Sequence, residues 1–238
     1  NISERQDRLS DALQQTYKRL SDNQRMLIEY KFFEPSFYTT DIPDWGTSYA
    51  HCLQLGEKAM VCVDTGHHAP GTNIEFIVAV LLRAKRLGAF DFNSRFYADD
   101  DLIVGAADPF QLFRILHEVN INGGFDVGTP VSFVLDQCHN IEAKIPGQIR
   151  SILNVQEATA KALLVDQVAL KAAQKEGDVL EANSVLMDAY NTDVRPLLEE
   201  WRADKGIDPN PMKAFKASGY LKKIADTRVG GNQAGWGA

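Results

Sequence analysis

The sequence predicts an α/β fold built on a parallel sheet, and three observations carry that expectation. Four short apolar segments alternate with stretches whose apolar residues recur at helical spacing. Each segment is followed by a loop and a helical pattern, and repeated strand-loop-helix units with helical crossovers demand parallel strands. Every one of the four segments also ends in polar, mostly acidic residues, at the strand ends where parallel α/β folds collect their functional groups.

Taken in order, Leu9, Leu13, Tyr17 and Leu20 form one apolar face of a first helix over residues 2–20. Residues 26–33 are short, apolar and partly aromatic, a buried strand running into a loop at Glu34-Pro35-Ser36. A weak helix over 45–55 precedes a second strand over 60–64. Thr72 and Glu75 have capping-box spacing ahead of Ile74, Ile77, Val78, Leu81 and Leu82, and Gly88 is a natural stop for that helix. A third strand covers 89–93. Asp108 and Pro109 then offer an N-cap and a first-turn proline for a helix through Val119, which Gly123-Gly124 ends. The fourth strand covers 131–136. Beyond Ile145 the chain turns to helix, over 148–174, 179–201 and 212–224, with a break at Gly177-Asp178 and a glycine-rich tail from Gly230. The expected division is residues 1–145, carrying the strands, and 146–238, a helical extension with its tail.

Composition narrows the function classes. The 238 residues are 45% hydrophobic and 24% charged, enough to bury a sizeable core. A net charge of -7 argues against a nucleic-acid or anionic-membrane surface, which would call for clustered Lys and Arg. Cys52, Cys62 and Cys138 are odd in number and lack CxxC spacing, so neither a disulfide framework nor a zinc ribbon is expected, and a reducing cytoplasm fits. No run approaches the roughly 20 apolar residues of a membrane helix. The chain begins at Asn1 inside a helical pattern, as a fragment would.

The acidic strand ends point to divalent cations. Like charges placed together at the ends of apolar strands repel and resist leaving water, and a bound cation is the simplest compensation. Glu29 and Lys31 are two apart and share a side of their strand; Asp64 and His67 are three apart across a strand-to-loop turn; Asp91 ends the third strand, with Asp99 and Asp101 beyond it and Asp136 on the fourth. Oxygen-rich ligation with an imidazole suits Mn²⁺, Mg²⁺ or Co²⁺ better than a structural zinc, which prefers thiolates.

Four motifs in order, Glu29-Tyr30-Lys31, Val63-Asp64-Thr65-Gly66-His67-His68, Phe92-Asn93-Ser94-Arg95-Phe96-Tyr97-Ala98-Asp99-Asp100-Asp101-Leu102 and Leu135-Asp136-Gln137-Cys138-His139-Asn140, resemble the carboxy-terminal half of bacterial L-rhamnose isomerases. The resemblance runs through the helical extension to Gln233-Ala234-Gly235-Trp236-Gly237-Ala238. It implies an α/β chain that is the carboxy-terminal half of a (β/α)₈ TIM-type barrel followed by a helical extension. It implies an aldose-ketose isomerase with two divalent metals, Mn²⁺ foremost, with Co²⁺, Mg²⁺ and Zn²⁺ as alternatives. By position, Glu29, Asp64 and Asp136 would hold the substrate-binding metal and His67, Asp99 and Asp101 the catalytic one. Lys31 would contact a substrate oxygen, with His67 beside it, and Glu29 or Asp136 would take part if hydrogen moves by a proton relay rather than a hydride shift.

Two departures from the family stand out. Asp91 occupies a position where rhamnose isomerases carry a histidine ligand; the related xylose isomerases use aspartate there, so Asp91 is kept as a ligand. The family has eight βα units, whereas four are legible here, so the partner is expected to be a missing amino-terminal half-barrel or a second copy, in a homo-oligomer acting on a small sugar. Two other readings stand beside this one: a non-catalytic metal-binding half-barrel, and another metal-dependent barrel such as a xylose isomerase or metal phosphodiesterase.

Overall fold

The structure, a computed structural model, describes residues 1–33, 40–97, 99–126, 128, 131–139 and 141–228. The loop expected at Glu34-Pro35-Ser36 and the glycine-rich tail lie outside them. The chain is α/β, with four parallel strands in the order β1-β2-β3-β4 and ten helices among the described residues. It divides into two units, Asn1–Asp101 with Arg114–Asp136, and Leu102–Phe113 with Gln137–Ala238. None of the described helices is long and apolar enough to cross a membrane.

In the first unit, α1 (Ile2–Tyr17) precedes β1 (Met26–Glu29), α2 (Trp45–Leu55), β2 (Ala59–Asp64), α3 (Ile74–Arg83), β3 (Leu87–Phe92), α4 (Pro109–Ile121) and β4 (Ser132–Leu135), with α4 beginning in one unit and ending in the other. Strands β2 and β3 are central, and β2 is buried along its whole length. One face of the sheet carries Ile28, Val61, Val63, Phe90, Phe92 and Phe133. The rings of Phe90 and Phe92 stack at 4.7 Å, and Phe133 lies 5.7 and 6.2 Å from them. By strand alternation and register, Leu27, Glu29, Cys62, Asp64, Asp91 and Val134 share the opposite face. Toward the edges that face is open: Leu27 is 45% and Val134 48% exposed.

Local chemistry explains where the elements stop, and it corrects three sequence expectations. Strand β1 ends at Glu29, short of Phe33. No capping box forms across Thr72 and Glu75. Asn73 is the N-cap of α3, accepting from the Phe76 amide at 2.8 Å; Thr72 bonds the Ala69 carbonyl, and Glu75 pairs with Arg114. Gly88 does not terminate α3. Lys85 does so in the left-handed conformation (φ 55°), and the Arg86 amide returns to the Leu81 carbonyl at 2.8 Å in a Schellman-type closure. Gly88 lies instead within β3 at a register shift, where a Cβ would stand 2.5 Å from Leu27 Cδ2 and 2.6 Å from Met60 Cβ. The close approach of three strands, not a helix end, requires glycine there. At α4 the expectation holds. Asp108 accepts from the Gln111 amide at 2.8 Å ahead of Pro109, and Gly123 (φ 75°) closes the helix.

The second unit holds α5 (Lys144–Leu163), α6 (Gln167–Glu176), α7 (Val179–Asn191), α8 (Arg195–Asp204), α9 (Pro211–Ala217) and α10 (Tyr220–Thr227). Each long helix read from the sequence is two shorter ones. Asp166 caps α6 through the Val168 and Ala169 amides, Pro196 sits in the first turn of α8, and Gly219 (φ 62°) separates α9 from α10. The buried Arg202 guanidinium donates to Gln156 Oε1 at 2.8 and 3.0 Å and to the Pro209 carbonyl at 3.1 Å, fastening α5, α8 and the turn into α9.

Candidate functional site

The carboxyl ends of the four parallel strands bring the acidic motifs together. Parallel register sets Asp64 beside Asp91, and the Asp136 amide bonds the Phe92 carbonyl at 3.0 Å, which places Asp136 one step beyond β4. Of the sequence-predicted residues, Glu29, Asp64 and His67 meet most closely: one ligand atom of each lies within 4.8 Å of the others. Lys31 and Asp99 join them through a 2.6 Å ion pair.

His67 is the hub. Its Nδ1 lies 3.0 Å from the Tyr30 carbonyl and 3.2 Å from Glu29 Oε1; its Nε2 lies 3.5 Å from Asp64 Oδ2 and 3.1 Å from Asp99 Oδ1. Asp64 is wholly buried, and only one of its oxygens is satisfied. Oδ1 accepts from the Gly66 amide at 2.6 Å and from Asn93 Nδ2 at 2.8 Å, while Oδ2 has no hydrogen-bond partner. Asp99 Oδ1 is likewise buried without a hydrogen bond. Two orphaned carboxylate oxygens thus lie within reach of one imidazole nitrogen, a donor set that fits a hard divalent cation.

Electrostatics report the same crowding. Burial pushes Asp64 up to about 7, against the pull of His67 and Asn93. Burial followed by the Asp99 charge raises Asp101 to about 7, and burial followed by Glu29 raises both Asp91 and Asp136. Burial alone would lower His67, but the Asp99 and Glu29 carboxylates at ion-pair distance and the Asp64 charge lift it to about 10. Asp99 is held below the usual carboxylate range by His67 first and Lys31 second. So many carboxylates require compensating positive charge, and within the chain His67 and Lys31 supply it.

The remaining predicted residues enter less directly. Asp91 Oδ2 lies 3.6 Å from the buried Cys62 thiol, on the site's face but outside the closest cluster. Asp101, at φ 46°, sits 3.4 Å from Asn93 Nδ2, and Asp136 is coupled through charge.

Two residues that motif reading passed over organise the site. Asn93 is 4% exposed and bonds both Asp64 and Asp101; its signal was available, since it lies two past Asp91 at the same strand end. A Cβ on Gly66 would come within 2.6 Å of Asn93 Oδ1, so the glycine makes room for the amide. Tyr30 spans both histidines: its carbonyl meets His67, and its hydroxyl lies 2.6 Å from Nε2 of the buried His68. Burial, then the Arg95 charge, lowers His68 to about 3, so its ring is neutral and shares one hydrogen bond with the Tyr30 hydroxyl. Asn93→Ala, which strips a donor from buried Asp64, is expected to cost about 1–3 kcal/mol in urea unfolding. An unchanged midpoint would remove Asn93 from this role.

Two proteins named probable sugar isomerases match the chain. One, from Rhizobium meliloti, is 41% identical over 233 residues, and one from Mesorhizobium japonicum is 40% identical over the same length. Each match covers 96% of this chain and 53% of the relative, so the chain spans about half the length of the curated relatives it matches. No protein-family model matches the sequence.

Proposed function

We propose that this chain is the metal-carrying, carboxy-terminal half of an aldose-ketose isomerase of L-rhamnose isomerase type, converting L-rhamnose to L-rhamnulose. The observation that carries the reading is the convergence of Asp64 Oδ2 and Asp99 Oδ1, both without hydrogen bonds, on His67 Nε2 at the carboxyl end of a parallel sheet. Similarity to two probable sugar isomerases across 96% of the chain supports the reaction class. Sequential strand order supports a barrel segment over a doubly wound sheet, whose order reverses at its ligand site. The open edge positions at Leu27 and Val134 support the absence of neighbouring strands.

In this reading Glu29, Asp64, Asp91 and Asp136 would hold one divalent ion and His67, Asp99 and Asp101 the other, the two sets meeting where Asp64 Oδ2 lies 3.5 Å from His67 Nε2. The ions supply Lewis-acid polarisation of sugar oxygens. Lys31, drawn to the site by Asp99 at 2.6 Å, offers a positive charge to the oxygen on C1 as negative charge builds there. The Tyr30 carbonyl fixes the Nδ1 side of His67 and so keeps Nε2 turned to the acidic groups. Hydrogen passes between C1 and C2, either directly or as a proton by way of Glu29 or Asp136; Glu29, with its side chain 43% exposed, is accessible to substrate.

The test is turnover of the chain joined to a complementary amino-terminal half. Lys31→Met in that assembly is expected to lower kcat about 10²–10³-fold, the scale of losing one charge-stabilising donor. Unchanged kcat would take Lys31 out of the chemistry.

A further inference from the structure

Asn93 stands one residue past β3, and both its backbone and its side chain are held from the loop that follows β2. Its amide donates to the Thr65 hydroxyl at 2.9 Å, and that hydroxyl donates to the Asn93 carbonyl at 2.9 Å. The Oδ1 end of the side chain lies against Gly66, where the three atoms nearest an added Cβ all belong to the Asn93 side chain. The Nδ2 end is thereby turned to the acidic residues, 2.8 Å from Asp64 Oδ1 and 3.4 Å from Asp101 Oδ1. The two ends are not interchangeable. An amide nitrogen carries two N–H donors and an ionised carboxylate only accepts, so an amide oxygen in that place would face two acceptors with nothing to share.

In the proposed two-ion site, on which this inference rests, Asp64 belongs to one ligand set and Asp101 to the other. A single amide group touches a member of each. With Asn93 and the Gly66 amide both on Oδ1 of Asp64, Oδ2 is the atom left to a cation. The longer contact ties Asp101 to the same nitrogen, so the aim of both carboxylates depends on where one side chain is seated.

We propose that Asn93 is a positioning residue shared by the two cation sites, setting Asp64 for one ion and Asp101 for the other, and that residue 66 is glycine to make room for it. Residues that hold a metal's ligands from behind typically carry about 10–100-fold in metal affinity. A residue that aims one ligand weakens one ion when it is removed. Asn93 aims two, and its removal weakens both.

The test is calorimetric titration of the full 238-residue chain with Mn²⁺ alone. The wild type is expected to take up two ions, and Asn93→Ala to weaken both steps by about 10–100-fold. A loss confined to one step overturns the proposal. Gly66→Ala keeps the backbone amide that bonds Asp64, and its backbone lies outside the left-handed region, so its added Cβ acts by pushing on the Asn93 amide. It is expected to weaken both steps as well, but to add little in an Asn93→Ala background, where the obstructing side chain is gone. Full additivity of the two substitutions rejects the link between them. Ser48→Ala separates positioning from stability, because it removes a buried 2.7 Å hydrogen bond to the Ile28 carbonyl in the same unit. It is expected to lower the unfolding midpoint and leave Mn²⁺ affinity unchanged; a loss of affinity equal to that of Asn93→Ala would mean that affinity follows stability and that Asn93 positions nothing. A wild type that takes up no Mn²⁺ brings down the two-ion reading and this inference together, whereas two bound ions with Asn93→Ala unaltered overturn this inference and leave that reading standing.

Discussion

Purified alone with Mn²⁺ and L-rhamnose, the 238-residue chain is expected to form no L-rhamnulose above background, whereas the chain complemented by an amino-terminal half turns over. The sheet face that bears Glu29, Asp64 and Asp91 has no covering strand beyond β1 or β4 among the described residues, and Leu27 and Val134 stand in solvent at its two edges. A sugar bound there would touch protein on one side only. Intramolecular positioning is worth about 7–11 kcal/mol of barrier when reacting groups are well held, so a site lacking half its walls loses most of its rate even with every ligand in place. Rhamnulose formation, measured with and without the complementing half, reads this directly. Equal turnover in both samples would mean that four βα units suffice, and the reading of this chain as half an isomerase would be given up.

Saturating Mn²⁺ is expected to raise the thermal midpoint at pH 8 by roughly 5–10 °C, to raise it much less at pH 5, and to lose the effect on chelation. At about 100 Kd, mass action supplies about 2.7 kcal/mol, and a domain of this size shifts about 2–4 °C per kcal/mol. The pH dependence follows from the metal-free site. Asp64 and Asp101 have folded pKa values near 7, raised from 3.8, so the stability linked to their protons is full below about 4 and is lost as pH rises through 7. His67, raised from 6.5 to about 10, likewise contributes most below 6.5 and loses its share toward pH 10. The metal-free chain therefore weakens with rising pH in the range where its ligands become free to bind a cation. Asp91→Ala should weaken Mn²⁺ binding in calorimetry, and Asp91→His should retain it with a shift toward Co²⁺ or Zn²⁺. An unchanged midpoint with Mn²⁺ at pH 8 would dismiss the assembled cation site, and unaltered affinity in Asp91→Ala would dismiss Asp91 as a ligand.

The sequence by itself determined the α/β class, the four strands and the residues at their carboxyl ends, because alternation and helical spacing record which side chains leave water. It also determined the caps of α4, since Asp108, Pro109 and Gly123 act through their own backbone and near neighbours. Strand pairing decided what is non-local. Gly88 reads as a helix stop until β1 and β2 close upon it, and Lys85 makes the actual stop in a conformation its type seldom adopts. The division of the helical extension is written locally, in the N-cap Asp166 and the first-turn Pro196, beneath an apolar periodicity that runs across both breaks. Which carboxylate oxygens are left without partners was not legible at all. Asp64 Oδ2 is orphaned because Asn93, 29 residues away in sequence, takes Oδ1. Which atom a buried carboxylate offers to a ligand depends on which neighbours reach it first, and only the tertiary structure sets that order.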